Sequence, residues 1–461
     1  MSETNLKKKR ICIIGAGAAG CACAWLLNKH DEFHVEIWEK GNVAGGVASS
    51  YKIDQNGLYI NDGVQGGAPS YRNTLLLHKE NGFQPSPVNM KISFGKGSTA
   101  WNNHGKEHET ELVRRLRPEI ARFGNVLKWV KRLEFIFIFV PIARLLKLMR
   151  FSDEFRNYMV LPLTALFFGT GNQTPYVSSA IVARVFLDPD LRLFDYDTSF
   201  LLSQTPEMFA FQNLESIYIT ILENSKCQKY FNRSVETITR GSRILITDNK
   251  GIQEEFDELI FACDAETCLK LLGKNGASFM ERKVLGNVKY YNDITVTHED
   301  YDYMQKYYDI NLSRDDQYFV KIDPDDPEKI DMSFNLSNYQ PQLKNSGRNI
   351  FQTIFLDDKR AHLWTRNEIN KDKILLERWW HQMAHTWKHF AFTVPYMRFL
   401  QGKKHTWFCG SYTLFNTHEM AVISGFAVAV RLGAKYPFTY DELATKQFDQ
   451  YLKFSHGFKR D

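Results

Sequence analysis

Three glycines and one acid near the start of the chain have the types and spacing to hold a dinucleotide. Gly15, Gly17 and Gly20 stand as G-x-G-x-x-G, and Glu39 follows nineteen residues after the last of them. Gly15 permits a tight turn, Gly17 leaves the backbone bare to a pyrophosphate, and Gly20 lets a helix close on a sheet. Ala16, Ala18 and Ala19 complete the same small turn, whose N–H groups would face phosphate oxygens. Glu39, with Lys40 beside it, can accept hydrogen bonds from ribose hydroxyls. A second set of polar residues lies near the other end. Tyr412, His418 and Glu419 follow the glycine turn Gly410–Ser411. They are expected either beside the reacting part of a bound cofactor or as caps and packing for the last helix, where Met420 and Val422 begin the apolar run.

The elements that must position these residues are legible around them. ICIIGAGAAGCACAW predicts a strand over Ile11–Ile14 and a helix from Ala18 to about Asn28, with a second strand His34–Trp38 ending on Glu39. The next stretch reads KGNVAGGVASSY, so Gly45, Gly46 and Val47 suit a second close backbone approach. Asp62–Gly63 lies in GLYINDGVQGG. In the middle of the chain, strands are predicted over Val235–Thr239, Arg243–Thr247 and Phe256–Ala262, then a loop at Cys263–Asp264 and a helix. The last block repeats strand, glycine and helix, with Thr406–Cys409, Gly410 and about Met420–Leu432.

The run from Glu39 through Gly45–Gly46 resembles the signature E-x-x-x-x-x-G-G, with Asp62–Gly63 matched to the D-x-G that follows it. On these residues the chain resembles the FAD-dependent amine-oxidase and phytoene-desaturase superfamily. Trp407, Phe408, Cys409, Gly410, Tyr412, His418, Glu419 and Gly425 resemble the ending of predicted FAD/NAD-binding oxidoreductases in that group. The chain is similar also to the flavin domain of plant cyclopropane-fatty-acid synthases and to polyunsaturated fatty acid isomerases. The resemblance implies an α/β fold, with a Rossmann-like FAD-binding domain and an inserted α+β substrate domain. It divides the chain into a discontinuous FAD domain (1–72, 214–283, 401–436), a substrate domain (73–213, 284–400) and a helical tail (437–461). It implies that Val235 touches adenine and that Gly410, Ser411, Met420 and Val422 approach the flavin. The implied activity is hydride transfer, as oxidoreductase or isomerase, on an apolar, unsaturated acyl or isoprenoid substrate. An amine oxidase and a flavin-binding protein without turnover are the alternatives. Gly410–Ser411 departs from the Gly-Asp that many FAD families carry there.

The 461 residues suffice for two or three core-building units. A formal net charge of +5 is too small for a nucleic-acid surface. The cysteine count is odd, seven, with no C-x-x-C, which predicts free thiols in a reducing compartment. No apolar leader follows MSETNLKKKR and no long apolar run occurs, which places the expected protein in the cytoplasm without a membrane span. Residues 108–150 read as helical, punctuated by Pro118 and Pro141, with basic residues on both sides of an apolar centre. Such a stretch fits contact with an anionic membrane surface, or helices packed over a substrate cavity. Thr174–Pro175 and Asp188–Pro189 read as helix boundaries. Lys371–Phe390 reads as a helix, which would put His381, His385 and His389 on one face. With no Glu among them and tryptophans around them, no metal is expected there.

Overall fold

The computed structural model describes residues 8–104, 109–169, 171–187, 196–202, 205, 207–323, 325–326 and 329–460. In chain order, the first unit is β1 (Lys9–Ile14), α1 (Ala18–Leu27) and β2 (Phe33–Trp38), followed by the hairpin β3 (Ala48–Lys52) and β4 (Tyr59–Gly63) and by α2 (Arg72–Glu80). Next come β5 (Ile92–Phe94), β6 (Trp101–Asn102) and α3 (Glu111–Arg132). The chain then runs through α4 (Leu214–Glu223), β7 (Gln228–Tyr230), β8 (Val235–Arg240), β9 (Ile244–Asp248), β10 (Gln253–Phe256), β11 (Glu258–Phe261) and α5 (Ala265–Gly276). The last elements are β12 (Lys289–His298), β13 (Tyr318–Val320), β14 (Met332–Asn335), β15 (Phe351–Phe355), β16 (Ile374–Ala384), β17 (Thr406–Phe408), α6 (His418–Leu432) and α7 (Glu442–His456).

Two sheets organise the chain. A five-stranded sheet runs β7-β2-β1-β11-β17, parallel throughout. Its middle strands are buried on both faces, one packed on α1 and the other on the meander β8–β9–β10 and α5. Ile11–Ile14 are all buried, and so is every residue of α1. Small residues make that burial tight. A methyl group at Gly425 of α6 would lie 2.2 Å from the Ala19 carbonyl oxygen of α1, so the two helices touch backbone to backbone. The second sheet has seven strands, β16-β12-β15-β14-β13-β5-β6, antiparallel except where β13 meets β5. The meander β8–β9–β10 lies in sequence between β7 and β11 of the five-stranded sheet. This is the expected α/β architecture, a Rossmann-like sheet joined to an α+β part.

Some local expectations are corrected. Lys371–Phe390 is not a helix. Ile374–Ala384 is the edge strand β16, paired with β12 from Lys289↔Ala384 to His298↔Ile374, with a 3-10 turn at Lys371–Lys373 before it and a helix at Trp387–Phe392 after it. Its Leu, Glu, Gln and Met favour a helix locally, but the long ladder offered by β12 outweighs that preference. Pro118 does not end a helix either: it sits on the exposed face inside α3, which continues past it. Pro141 does stand at a helix start, before Ile142–Leu148. Strand β14 stops at Asn335, whose side chain caps a helical turn over Leu336–Tyr339. Thr174–Pro175 falls in the 3-10 turn Gly171–Tyr176, and Asp188–Pro189 lies outside the described residues.

Candidate functional site

The parallel strands end together on one edge, and the groups that remain accessible there are the ones singled out by spacing. Gly15 and Gly17 follow β1, Glu39 follows β2, Ala262–Asp264 follow β11, and Gly410–Ser411 follow β17; all are half-buried at the rim of an otherwise buried core. Ligands of open α/β sheets bind at this carboxyl edge, where the connections diverge to either side. Gly15 turns with φ +106°, and a methyl group there would meet the Ala262 carbonyl oxygen at 2.8 Å. Gly20 is pressed against the Gly15 carbonyl oxygen, 2.0 Å from where its methyl group would be. Gly17 differs: a methyl group there would meet nothing within 4 Å. The backbone at Gly17, where α1 starts, is therefore open on its Cα side.

A second loop closes on this turn. Gly45 N–H donates to the Ala16 carbonyl oxygen at 2.8 Å, and Gly17 and Gly45 form a parallel bridge. Gly46 and Val47 are exposed beside it, as is Lys40. Glu39 accepts from the Ala16 N–H at 2.8 Å and from the Gly41 N–H at 2.7 Å. Both oxygens keep a free lone pair for a further donor. Val235 opens β8 next to this corner, because Arg233 N–H donates to the Glu39 carbonyl oxygen. Arg233 itself was not visible as a site residue. Its guanidinium lies 3.5 Å over the Trp38 ring and pairs with Asp248, which locks the end of β2.

At the other end of the edge, Gly410 N–H donates to Ser424 Oγ at 2.8 Å, tying the turn after β17 to α6. Thr417 caps α6 by accepting from Met420 N–H, so the first turn of α6, which includes Met420, starts here, while Val422 lies beyond that turn and is buried in the core. Ser411 Oγ donates to Asn416 Oδ1. Two histidines of the stretch predicted as helical hold this loop from outside. Asn416 N–H donates to His385 Nε2 at 2.9 Å, and His389 Nε2 donates to the Tyr412 carbonyl oxygen at 2.6 Å. Burial keeps both neutral, with pKa values pushed down to about 3 and about 4. His381 is exposed on β16, against Asn292 and Glu266. Among the described residues no group of three or more His, Cys, Asp or Glu is placed to hold a metal.

Not every expected residue is brought to the edge. Tyr412 is buried, and its hydroxyl lies 4.0 Å from Cys268 Sγ. His418 is buried against the Tyr218 hydroxyl, and burial lowers its pKa to about 4. Glu419 accepts from Asn73 N–H, Asn73 Nδ2 and Thr74 N–H, so it caps α2 and not the last helix, whose cap is Thr417. Asp62 points into the seven-stranded sheet, where Thr295 Oγ1 and Gln352 Nε2 donate to its Oδ1; burial raises its pKa to about 6. The residue two before Gly63 is Asn61, which binds the Phe211 and Gln212 carbonyl oxygens. Gly63 stays exposed, packed on the Trp380 ring.

A profile of the NAD(P)-binding Rossmann-like domain matches residues 13–77. No curated protein sequence is similar enough to match. Among solved structures, putrescine oxidase with bound putrescine aligns with a TM-score of 0.65 at 14% identity, covering 92% of this chain and 99% of that one. A CLA-producing fatty acid isomerase from P. acnes aligns with a TM-score of 0.64 at 16% identity, covering 94% and 100%. Cyclohexylamine oxidase from Brevibacterium oxydans IH-35A aligns at 0.66 and 12%, covering 92% and 99%. The chain shares their fold. The alignments run over nearly its whole length, so both sheets belong to the likeness and not the glycine turn alone.

Proposed function

We propose that this protein is an FAD-dependent oxidoreductase or isomerase acting on an apolar acyl or isoprenoid substrate. The observation that carries the cofactor is the bare, open backbone at Gly17, set between two glycines that are both in contact with backbone. The turn after β1 would hold the pyrophosphate, Glu39 the ribose, and the corner at Val235 the adenine. The edge then runs on past Ala262 and Cys263 to Gly410, a long track that favours an extended dinucleotide with a large second ring system. The N-terminus of α6 ends at that turn, and its N–H groups and dipole favour negative charge nearby. Bound FAD would supply hydride transfer, which needs position and electrostatics from the protein rather than a strong base. His385 and His389 act by fixing the 410–417 loop, and the seven-stranded sheet beside Gly63 would form the substrate side.

The apolar substrate rests on the aromatic content of the chain, 14%, and on the fold likeness to the fatty acid isomerase. An amine oxidase is the second reading, favoured by the likeness to putrescine and cyclohexylamine oxidases. Purified protein reconstituted with FAD and mixed anaerobically with fatty acids, phospholipids, carotenoids and amines separates them. Bleaching or double-bond migration with an unsaturated acyl or isoprenoid compound is the expected result. Bleaching by amines alone, with peroxide released in air, would select the second reading; a protein that binds no flavin would end both.

A further inference from the structure

The charge of the chain is concentrated where its apolar surface protrudes. Residues 128–150 carry six cations, Lys128, Lys131, Arg132, Arg144, Lys147 and Arg150, against one acid, Glu134. Glu134 is spent on Arg184, which it binds at 2.6 and 2.9 Å. The whole chain nets only +5, so this short stretch accounts for the excess. All six cations are exposed. Between them the helical turn Glu134–Phe137 and the residues after it present Phe135, Ile136 and Phe139 to solvent, with Phe135 71% accessible. A second element extends this face. The Phe139 ring lies 6.2 Å from that of Phe392, which is also exposed, and an isolated bridge between Val177 and Thr386 joins the two regions. Beneath the surface, Phe137, Ile142 and Leu145 are buried and hold the turn in place.

We propose that this face docks on the surface of an anionic phospholipid bilayer. Exposed rings at a protruding turn can enter the acyl boundary, and long Lys and Arg side chains around them can reach phosphate groups. Among the described residues no helix is long and apolar enough to cross a membrane, so the contact is peripheral. A second copy of the chain is disfavoured, because a symmetric contact through this face would bring six cations against six.

Flotation of the full-length protein with vesicles of phosphatidylcholine, with and without phosphatidylglycerol, tests this. Binding to the anionic vesicles only, weakening as salt is raised, is expected. Phe135→Ser with Phe139→Ser should reduce partitioning roughly tenfold or more, and each of Arg144→Gln and Lys147→Gln roughly fivefold. These side chains are exposed, so the melting temperature should stay at the wild-type value, which separates lost docking from lost folding. Wild-type protein that ignores anionic vesicles overturns the proposal. So do variants that float as well as wild type, and so does a dimer that Phe135→Ser dissolves.

Discussion

The three glycines of the first turn do different work, and substitution can tell them apart. At Gly20 an added methyl group would sit 2.0 Å from a backbone oxygen, so α1 would have to leave the sheet. Gly20→Ala is expected to cost about 3 kcal/mol or more in urea unfolding. At Gly17 the backbone has φ −73°, which any residue adopts, and the methyl group meets nothing. Gly17→Ala should therefore change stability by less than about 0.5 kcal/mol. Its effect should fall on the cofactor, because the methyl group occupies the approach a pyrophosphate needs. At least a tenfold rise in the FAD dissociation constant, read from flavin fluorescence, is the expected outcome. Equal affinity in Gly17→Ala and wild type would show that this turn holds no phosphate. This much was readable from spacing alone, because all the groups involved lie within thirty residues of sequence. Arg233 was not, because it reaches the end of β2 from a distant segment.

At the scale of elements, α2 illustrates how a polar residue beside the site serves packing. Tyr71 precedes the helix and has no side-chain oxygen placed to cap it, so the N–H groups of Asn73 and Thr74 lack a local acceptor. Glu419 supplies both oxygens from the first turn of α6, at 2.8 Å each. Burial raises its pKa above the usual range, and these donors offset part of that cost. Glu419→Ala would orphan buried donors, and a loss of about 1–3 kcal/mol is expected in thermal or urea unfolding. Turnover per bound flavin should be unchanged; a large fall in kcat at unchanged stability would move Glu419 into the chemistry. The sequence placed Glu419 at a helix start correctly but could not show that its partner is another helix. The misread stretch Lys371–Phe390 has the same origin. Its residues favour a helix one by one, and only the β12 ladder, eighty residues away in sequence, makes it a strand. With that ladder in place His385 and His389 leave the expected common face and reach the 410–417 loop instead. By contrast β1, α1, β2, β17 and α6 were legible because each contrasts strand, glycine and helix within a single short window.

Across the whole molecule, buried histidines set the response to acid. His78, His298, His385, His389, His418 and His456 are six buried imidazoles, all with pKa values pushed below the usual 6.5 by burial. For a depressed histidine the folded state stays neutral while the unfolded chain takes up a proton. Stability is then whole above about pH 6.5 and is lost as pH falls toward the folded values, about 4 for His418 and about 3 for His385. Four buried carboxyls act in the opposite sense, since burial raises the pKa values of Asp62, Asp293, Asp331 and Glu419. Their contribution is full below the ordinary carboxylate range and is lost as pH rises through their folded values, about 6 for Asp62. Among the described residues, at least six groups thus draw protons on unfolding between pH 6 and 4.5, and at most these four release them. The balance is about two protons taken up, or about 3 kcal/mol of stability lost per pH unit. Against a total of roughly 5–15 kcal/mol for a folded domain, that is enough to unfold the protein in mild acid. Urea midpoints measured at half-unit steps from pH 7 to 4.5 should fall steadily. His418→Gln, which keeps a hydrogen-bonding group near the Tyr218 hydroxyl but does not titrate, should flatten the slope by about one proton, or about 1.4 kcal/mol per unit. A midpoint that instead rises on acidification would mean that the carboxyls dominate, and that the imidazoles are not held neutral by the fold.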